Sequence, residues 1–153
     1  MYVPPFEALL RRLNTTKTGL ENAEVVAVPV GLLKLLLQMA NACADFDEEK
    51  YLSKNPDVRD AVKRGAIESG RLHYIGFGYF EGRKGGTALV DEAWYLQKNP
   101  DVANAVKEGR VESATDHFNS IGAGEGRSPN ADQQESAEQW KEALLGTQRV
   151  ESV

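Results

Sequence analysis

The most apolar part of the chain is a Leu-rich segment that runs from Pro29 to about Cys43. Its polar residues Lys34, Gln38 and Asn41 are four and then three positions apart, which places them on one narrow stripe of a helix. Leucine, methionine and alanine cover nearly all of the remaining helix surface. Because a surface helix normally has a broad polar face, the pattern predicts a helix that is buried on most sides, either by the repeats of its own chain or by other subunits.

The residues before this helix show two further patterns. Pro5 to Leu13 has the spacing of a short amphipathic helix, and a polar loop is expected to follow it through Asn22. Glu24 to Val28 is apolar and β-branched, so it is predicted to be either one short strand or a plain extended arm. A strand needs a partner, which another subunit could provide. We therefore expect the arm and the Leu-rich helix to mediate self-association, through Val26, Val28, Leu33, Leu36 and Leu37.

A pattern of 44 residues occurs twice in the rest of the chain. Asn55-Pro56-Asp57-Val58 recurs as Asn99-Pro100-Asp101-Val102, and Glu81-Gly82-Arg83 recurs as Glu125-Gly126-Arg127. About half of the positions between 46 and 86 match their partners between 90 and 130 without a gap, as expected for the duplication of one structural unit. The predicted organisation is therefore an N-terminal region (1–45), two repeats (46–89 and 90–130), and a polar C-terminal helix with a frayed tail (131–153).

Each unit is predicted to fold as three short helices. Asp47 and Asp91 are good N-caps for the first helix. The Asn-Pro-Asp strings end that helix and begin the second, with the Asn side chain as its cap. Gly65 and Gly109 are expected to end the second helix in the left-handed conformation. Helices this short are not stable alone, so they must pack on one another and on the neighbouring unit.

The third helix carries the two histidines of the chain. It is predicted to begin at Ser69 and Ser113 and to stop at Gly78 and Gly122. Its buried face is expected to be His73, Tyr74 and Phe77 in the first copy, and His117, Phe118 and Ile121 in the second. Because neither histidine has a second ligand three or four residues away, a core histidine bonded to a backbone carbonyl is favoured over a metal ligand or a catalytic residue.

The Glu-Gly-Arg turns and the differences between the copies are the candidate contact sites. Two arginines could bind an anionic ligand such as an acidic sugar, although a turn whose Glu and Arg tie neighbouring helices together is the simpler interpretation. Tyr79 and Phe80 of the first copy become Ala123 and Gly124, and Lys50 becomes Trp94. Exposed aromatic residues are typical anchors of interfaces, but Trp94 filling the seam between the copies is a competing interpretation. Partner or ligand contact is thus predicted at Tyr79, Phe80, Arg83, Trp94 and Arg127.

Composition removes several functional classes. The net charge of −5 disfavours a nucleic-acid binder, which needs cations to neutralise phosphates. The longest apolar stretch, about 14 residues, is shorter than the ~20 that a membrane helix needs, which predicts a soluble protein. Cys43 is the only cysteine, which suits the cytoplasm, although an exported protein or part of a virion or surface assembly would look the same. The chain contains no known catalytic, phosphate-binding or metal-binding motif, so no cofactor and no catalytic residue are predicted.

The repeated pattern Tyr-Leu-x-x-Asn-Pro-Asp-Val, Ala-Val-x-x-Gly, Ser, His-aromatic, Gly and Glu-Gly-Arg resembles a bacterial repeat that accompanies glycosyltransferase, methyltransferase and surface-protein domains. The resemblance covers roughly residues 46 to 130 and implies an accessory module without an activity of its own. The flank Val-Ala-Val-Pro with its Leu-rich helix is also similar to small phage-encoded proteins.

We therefore expect a mainly all-α fold in which two three-helix repeats pack on an apolar helix, with a short extended N-terminal arm. The expected function is that of a non-enzymatic structural or interaction protein, a homo-oligomer with protein partners. The alternatives are an adaptor for anionic surface glycans and, less favoured, a small enzyme that uses His73 or His117.

Overall fold

The structure is a computed structural model that describes residues 2–87 and 89–145. All the regular elements in these residues are helices, which confirms the predicted all-α class. The chain divides into two compact units, residues 1–43 and residues 44–153. The prediction of a frayed tail concerns residues 146–153, which lie outside the described residues.

The first unit contains helices α1 (Phe6–Arg12), α2 (Lys17–Asn22) and α3 (Val30–Cys43). Helices α1 and α3 lie where the sequence pattern predicts them. The predicted polar loop is wrong, because α2 forms there with Thr16 as its N-cap, whose hydroxyl accepts a hydrogen bond from the Gly19 N–H at 3.0 Å. Residues 24–28 form no strand within the single chain, and a strand that pairs with another subunit stays a prediction.

Helix α3 is not buried on most sides within the single chain, so burial by other subunits is the alternative that stays a prediction. Leu33, Leu35 and Leu36 are 48%, 52% and 51% exposed. The most buried residue of the helix is instead Asn41, at 7%, whose amide donates a hydrogen bond to the Leu37 carbonyl at 2.8 Å. The polar stripe therefore includes the most covered position, and leucines face outward. An apolar pattern shows that a helix surface gains from being covered, but it does not show which molecule covers it.

The second unit contains two sets of helices whose bounds differ by 44 residues throughout. The first set is α4 (Glu48–Lys54), α5 (Pro56–Lys63) and α6 (Gly70–His73), which continues as a π-helical turn over Tyr74–Gly78. The second set is α7 (Glu92–Lys98), α8 (Pro100–Lys107) and α9 (Ala114–His117), which continues as a π-helical turn over Phe118–Gly122. Helix α10 (Gln134–Leu145) follows.

The helix ends agree with the predicted caps in most cases. The carboxylates of Asp47 and Asp91 accept hydrogen bonds from the main-chain N–H three residues later, at 2.9 and 3.0 Å. Gly65 and Gly109 both have a φ of +71°, the left-handed conformation that a C-terminal cap requires and that other residues rarely adopt. These features are local, so the sequence alone suffices to place them.

Asn55 and Asn99 occupy the N-cap positions of α5 and α8, but their side chains do not cap these helices. The Asn55 amide instead donates to the carbonyl of Tyr51 at 2.8 Å and to that of Lys84 at 2.9 Å. The Asn99 amide donates to the Tyr95 carbonyl at 2.8 Å. Each side chain thus turns back to the preceding helix, where the same tyrosine carbonyl also accepts a hydrogen bond from the main-chain N–H of the asparagine. The Asn side chains were predicted to cap the start of the second helix, but they contact the end of the first helix, so this prediction is wrong.

The third helix of each copy exposes a residue that was predicted to be buried. Phe77 is 64% exposed and Ile121 is 50% exposed. The π-helical turn widens the helix after His73 and His117, so the buried face continues at Gly78 and Gly122 instead. A Cβ atom at either glycine would collide with the hydroxyl of Tyr51 or of Tyr95. These glycines therefore serve close packing and are not simple helix stops.

Each copy has a hydrophobic core of its own. The first core contains Tyr51, Val58 and Tyr74. The second contains Tyr95, Val102, Ala114 and Phe118. The main packing between helices occurs within each copy, and between the copies Lys84 Nζ approaches Asp116 Oδ1 to 3.4 Å. The helices therefore pack on one another as expected, while the neighbouring copy adds a charged contact.

Candidate interaction surfaces

The residues predicted to mediate self-association lie in two places in the first unit. Leu33 and Leu36 are three residues apart in α3, and both are exposed. Leu37 is half-buried in the same helix. Val28 is exposed and Val26 is half-buried in the extended arm, outside any regular element. The structure therefore leaves at least Leu33, Leu36 and Val28 available for contact with another molecule.

The Glu-Gly-Arg turn of the first copy ties two parts of that copy together. Arg83 donates from Nη1 to both carboxylate oxygens of Asp57, at 2.8 and 2.7 Å, and from Nε to Glu81 at 2.8 Å. The hydrogen bond from Arg83 holds the pKa of the Asp57 carboxyl below its usual value. The guanidinium is thus engaged within its own copy, and an anionic ligand would have to displace two carboxylates to bind it.

The turn of the second copy repeats this arrangement. Arg127 donates to the two carboxylate oxygens of Asp101 at 3.1 and 2.8 Å, and to Glu125 at 2.6 Å. It also donates to the side-chain oxygen of Asn99 at 2.9 Å. The hydrogen bond from Arg127 lowers the pKa of Asp101 to about 2. Both turns therefore have the tying geometry that was the simpler interpretation of the sequence.

The Asp101–Arg127 pair predicts a pH-dependent part of the stability. The pKa of Asp101 is lower in the folded chain than in the unfolded chain, so the contribution is complete above about pH 4 and is lost as the pH falls through about 2. Because the Asp101 side chain is 61% exposed, we expect the contribution to be at most about 1 kcal/mol. Urea unfolding at pH 6 and at pH 2 measures it in Asp101→Asn against the exposed control Asp132→Asn. The deficit of Asp101→Asn against the control should be largest at pH 6 and much smaller at pH 2, and an equal deficit at both pH values would contradict the assignment.

Each histidine pairs with a buried tyrosine and not with the predicted backbone carbonyl. The Tyr51 hydroxyl lies 3.0 Å from His73 Nδ1, and the Tyr95 hydroxyl lies 3.0 Å from His117 Nδ1. Burial raises the pKa of Tyr51 to about 12 and also raises the pKa of Tyr95. Because both tyrosines are fully buried, a substrate cannot reach their hydroxyls. This geometry favours a structural role for the pairs.

Tyr79 and Phe80 lie together, and Tyr79 lines a cleft between the two copies. Their rings are in edge contact at 5.2 Å, and Tyr79 also contacts the buried Tyr74 at 5.9 Å. Burial raises the pKa of Tyr79. Tyr79, Tyr74 and Arg83 line a cleft of about 750 Å³, whose opposite wall includes Glu92 and Asp116 of the second copy. The aromatic pair thus packs partly within its own chain.

Helix α10 lies beside the corresponding face of the second copy, an arrangement that the sequence pattern does not predict. Ala123 and Gly124, which replace Tyr79 and Phe80, line a groove of about 330 Å³ together with Trp140 and Leu144 of α10. Lys141 packs so closely on Gly126 that a Cβ atom there would lie 2.5 Å from Lys141 Cγ. The small residues of the second copy therefore leave space for α10. At the matching position of the first copy, Tyr79 lines the cleft between the two copies. Trp140 and Leu144, large apolar residues in a mostly polar segment, are the sequence signal that could have predicted this contact.

Trp94 does not fill the seam between the copies, so this competing interpretation is wrong. Its side chain packs on the core of its own copy. It also lines a cleft with Gln134, Ala137 and Glu138 at the side of α10. The Lys98 ammonium lies 6.0 Å from the centre of the Trp94 ring. Trp94 is half-buried and remains a candidate contact residue on the α10 side.

Metal binding and membrane insertion receive no structural support from the described part of the chain. Within residues 2–87 and 89–145, no three His, Cys, Asp or Glu side chains come together as a metal site. In the same ranges, each helix is too short or too polar to span a bilayer. Comparisons with family models, with curated proteins and with solved structures give no match. The functional argument therefore depends on the surfaces described above.

Proposed function

We propose that the chain is a non-enzymatic assembly or interaction module that self-associates through its first unit. The copies of the second unit would then hold surfaces such as the α10 groove on a rigid helical frame. One observation carries the proposal, namely that the first unit exposes most of its large apolar side chains and buries almost none.

Residues 2–43 bury a single hydrophobic residue, Leu10. Nine large apolar side chains in the same range are exposed in the single chain, namely Tyr2, Val3, Phe6, Val25, Val28, Val30, Leu33, Leu35 and Leu36. A compact unit normally has a core of its own, and an exposed apolar surface of this extent marks an interaction site. The missing core is therefore best supplied by another molecule.

The summed exposure of these side chains is large enough for association between two folded chains. With areas typical of these side chains, the nine expose on the order of 900 Å² in total, so an interface that covered most of them would approach the ~800 Å² that each partner contributes to a standard interface. A second copy brings the same surface at equal concentration, so self-association covers it on both chains at once.

Two charges introduced into α3 test the proposal. Leu33→Glu with Leu36→Glu removes four leucines from each dimer, and at about 2 kcal/mol for each leucine we expect the dissociation constant to rise by more than about 1,000-fold. Size-exclusion chromatography with light scattering measures the mass of both chains. The wild-type chain should be a dimer or larger, and the double variant should be a monomer.

The matched control is Leu72→Glu with Ile121→Glu, which adds the same charge at two residues of the second unit with similar exposure. This control should keep the mass of the wild type. A wild-type chain that is a clean monomer at micromolar concentration would end the proposal. Equal dissociation by both double variants would mean that added charge, and not the α3 surface, separates the chains.

The two alternatives have weaker geometric support. A glycan adaptor would use Arg83 and Arg127, but carboxylates of the same copy already hold both guanidinium groups. A small enzyme would use His73 or His117, but each bonds to a tyrosine that is fully buried. The exposed surface of the first unit therefore supports self-association better than either alternative.

A further inference from the structure

The exposed residues of α3 include a stripe with the spacing of a coiled-coil seam. Leu33, Leu36, Ala40 and Cys43 are separated by three, four and three positions, and all four are exposed. This is the a–d spacing that brings one side of a helix against a partner helix. We call these four residues the α3 seam.

We infer that two copies of the chain pair through the α3 seam with their helices antiparallel. The inference rests on the proposed self-association and adds the partner helix and its direction. Antiparallel helices form core layers in which an a position of one helix meets a d position of the other. Leu33 would then face Cys43 of the second copy, and Leu36 would face Ala40 of the second copy.

The sizes of the seam residues favour this direction. The two large residues lie in the first half of α3 and the two small residues lie in the second half. Antiparallel pairing sets a large residue against a small one in every layer, which keeps the distance between the helix axes constant and leaves no void. Parallel pairing would crowd leucine against leucine at one end and leave alanine against alanine and cysteine against cysteine at the other.

The charges favour the same direction. Lys34 is the one charged side chain of α3, and it lies near the positive N-terminal end of the helix dipole. The residues just after α3 are acidic, beginning with Asp45. Antiparallel pairing places the Lys34 end of one helix beside the acidic end of the other, and it opposes the two dipoles. Parallel pairing would place like charges side by side at both ends.

The symmetry of the pair follows from the layers. A two-fold axis passes beside Gln38, midway between Leu33 and Cys43, so each seam makes the same contacts as its partner and the assembly closes as a dimer. The two Cys43 residues then lie on opposite sides of the axis, separated by about 15 Å along the helices. That separation exceeds the reach of a disulfide, whose Cα atoms are usually ~4.4–6.8 Å apart.

Disulfide crosslinking with diamide, which oxidises two thiols to a disulfide, tests the direction in the full-length chain. The Leu33→Cys variant should form a disulfide-linked dimer in which the introduced thiol of one copy bonds to Cys43 of the other copy. Facing thiols in a dimer have an effective concentration near the millimolar range, so at micromolar protein the reaction should be about 100-fold faster than in the wild type. Leu35→Cys is the matched control, because it has the same exposure but lies off the seam, and it should react as slowly as the wild type.

Light scattering of each reduced chain measures its mass and so separates a loss of self-association from a change in crosslinking. Fast crosslinking of the wild type through its single Cys43 would overturn the antiparallel direction while keeping self-association. A dimer that crosslinks slowly in all three chains, or equally fast in both variants, would overturn the α3 seam. A wild-type chain that is monomeric under reducing conditions would remove the proposed function itself.

Discussion

Replacing Tyr95 with alanine is expected to lower the free energy of unfolding of the second copy by about 3–5 kcal/mol. The Tyr95 side chain is fully buried at the centre of a core that includes Val102 and Phe118, and its ring meets that of Phe118 at 5.9 Å. Truncation would remove these contacts and leave a cavity. It would also leave His117 without its hydrogen-bond partner, since its ring nitrogen lies 3.0 Å from the tyrosine hydroxyl. Chemical denaturation measures the loss, and Tyr95→Phe, which keeps the ring, should cost only about 1 kcal/mol.

Because the two copies have separate cores, we expect the destabilisation to stay within the second copy. Because Tyr51, Val58 and Tyr74 form a different cluster, the first copy should stay folded when the second copy is weakened. Hydrogen exchange followed by mass spectrometry should therefore show faster exchange in residues 91–126 of Tyr95→Ala, with little change in residues 47–82. An equal loss of protection in both copies would show that they share one cooperative core.

Replacing Asn55 with alanine is expected to cost about 1–3 kcal/mol, since the Lys84 carbonyl would lose its donor and the Tyr51 carbonyl would keep only the main-chain N–H of residue 55. The Asn55 amide donates to Tyr51 at the end of α4 and to Lys84, 29 positions later in the chain. It therefore joins the end of the first copy to its beginning. Thermal and urea unfolding measure the change, which should include faster hydrogen exchange around Lys84.

The control for this substitution is Asn104→Ala on α8, because Asn104 is exposed. We expect it to change the free energy of unfolding by less than about 0.5 kcal/mol. If Asn55→Ala were as mild as this control, the bridging role of the Asn55 amide would be refuted.

The features that the sequence alone predicts well are local. The caps at Asp47 and Asp91 and the left-handed glycines at 65 and 109 depend on neighbouring residues only. The helix bounds of the second copy repeat those of the first at an offset of 44, as the repeated residues do. The same reasoning missed α2, because a single Thr16 cap outweighs the polar composition of that segment.

The features that the sequence alone does not predict depend on contacts between distant residues. Nothing local shows that Asn55 turns back to Lys84 or that a π-helical turn rotates Phe77 into solvent. The Leu-rich pattern of α3 likewise does not reveal which molecule covers the helix, and the single chain leaves Leu33, Leu35 and Leu36 exposed. Among the candidate site residues, Leu33 and Leu36 keep their predicted availability, whereas Arg83 and Arg127 are held within their own copies.

The most direct test of the central claim is sedimentation equilibrium of the wild-type chain across the micromolar range, with a reductant to keep Cys43 as a thiol. The account predicts a mass of at least twice the 16.8 kDa of one chain, which falls to that of one chain when Leu33 and Leu36 are changed to Glu. A wild-type mass of one chain at every concentration, with the leucines of α3 left in contact with water, would contradict it.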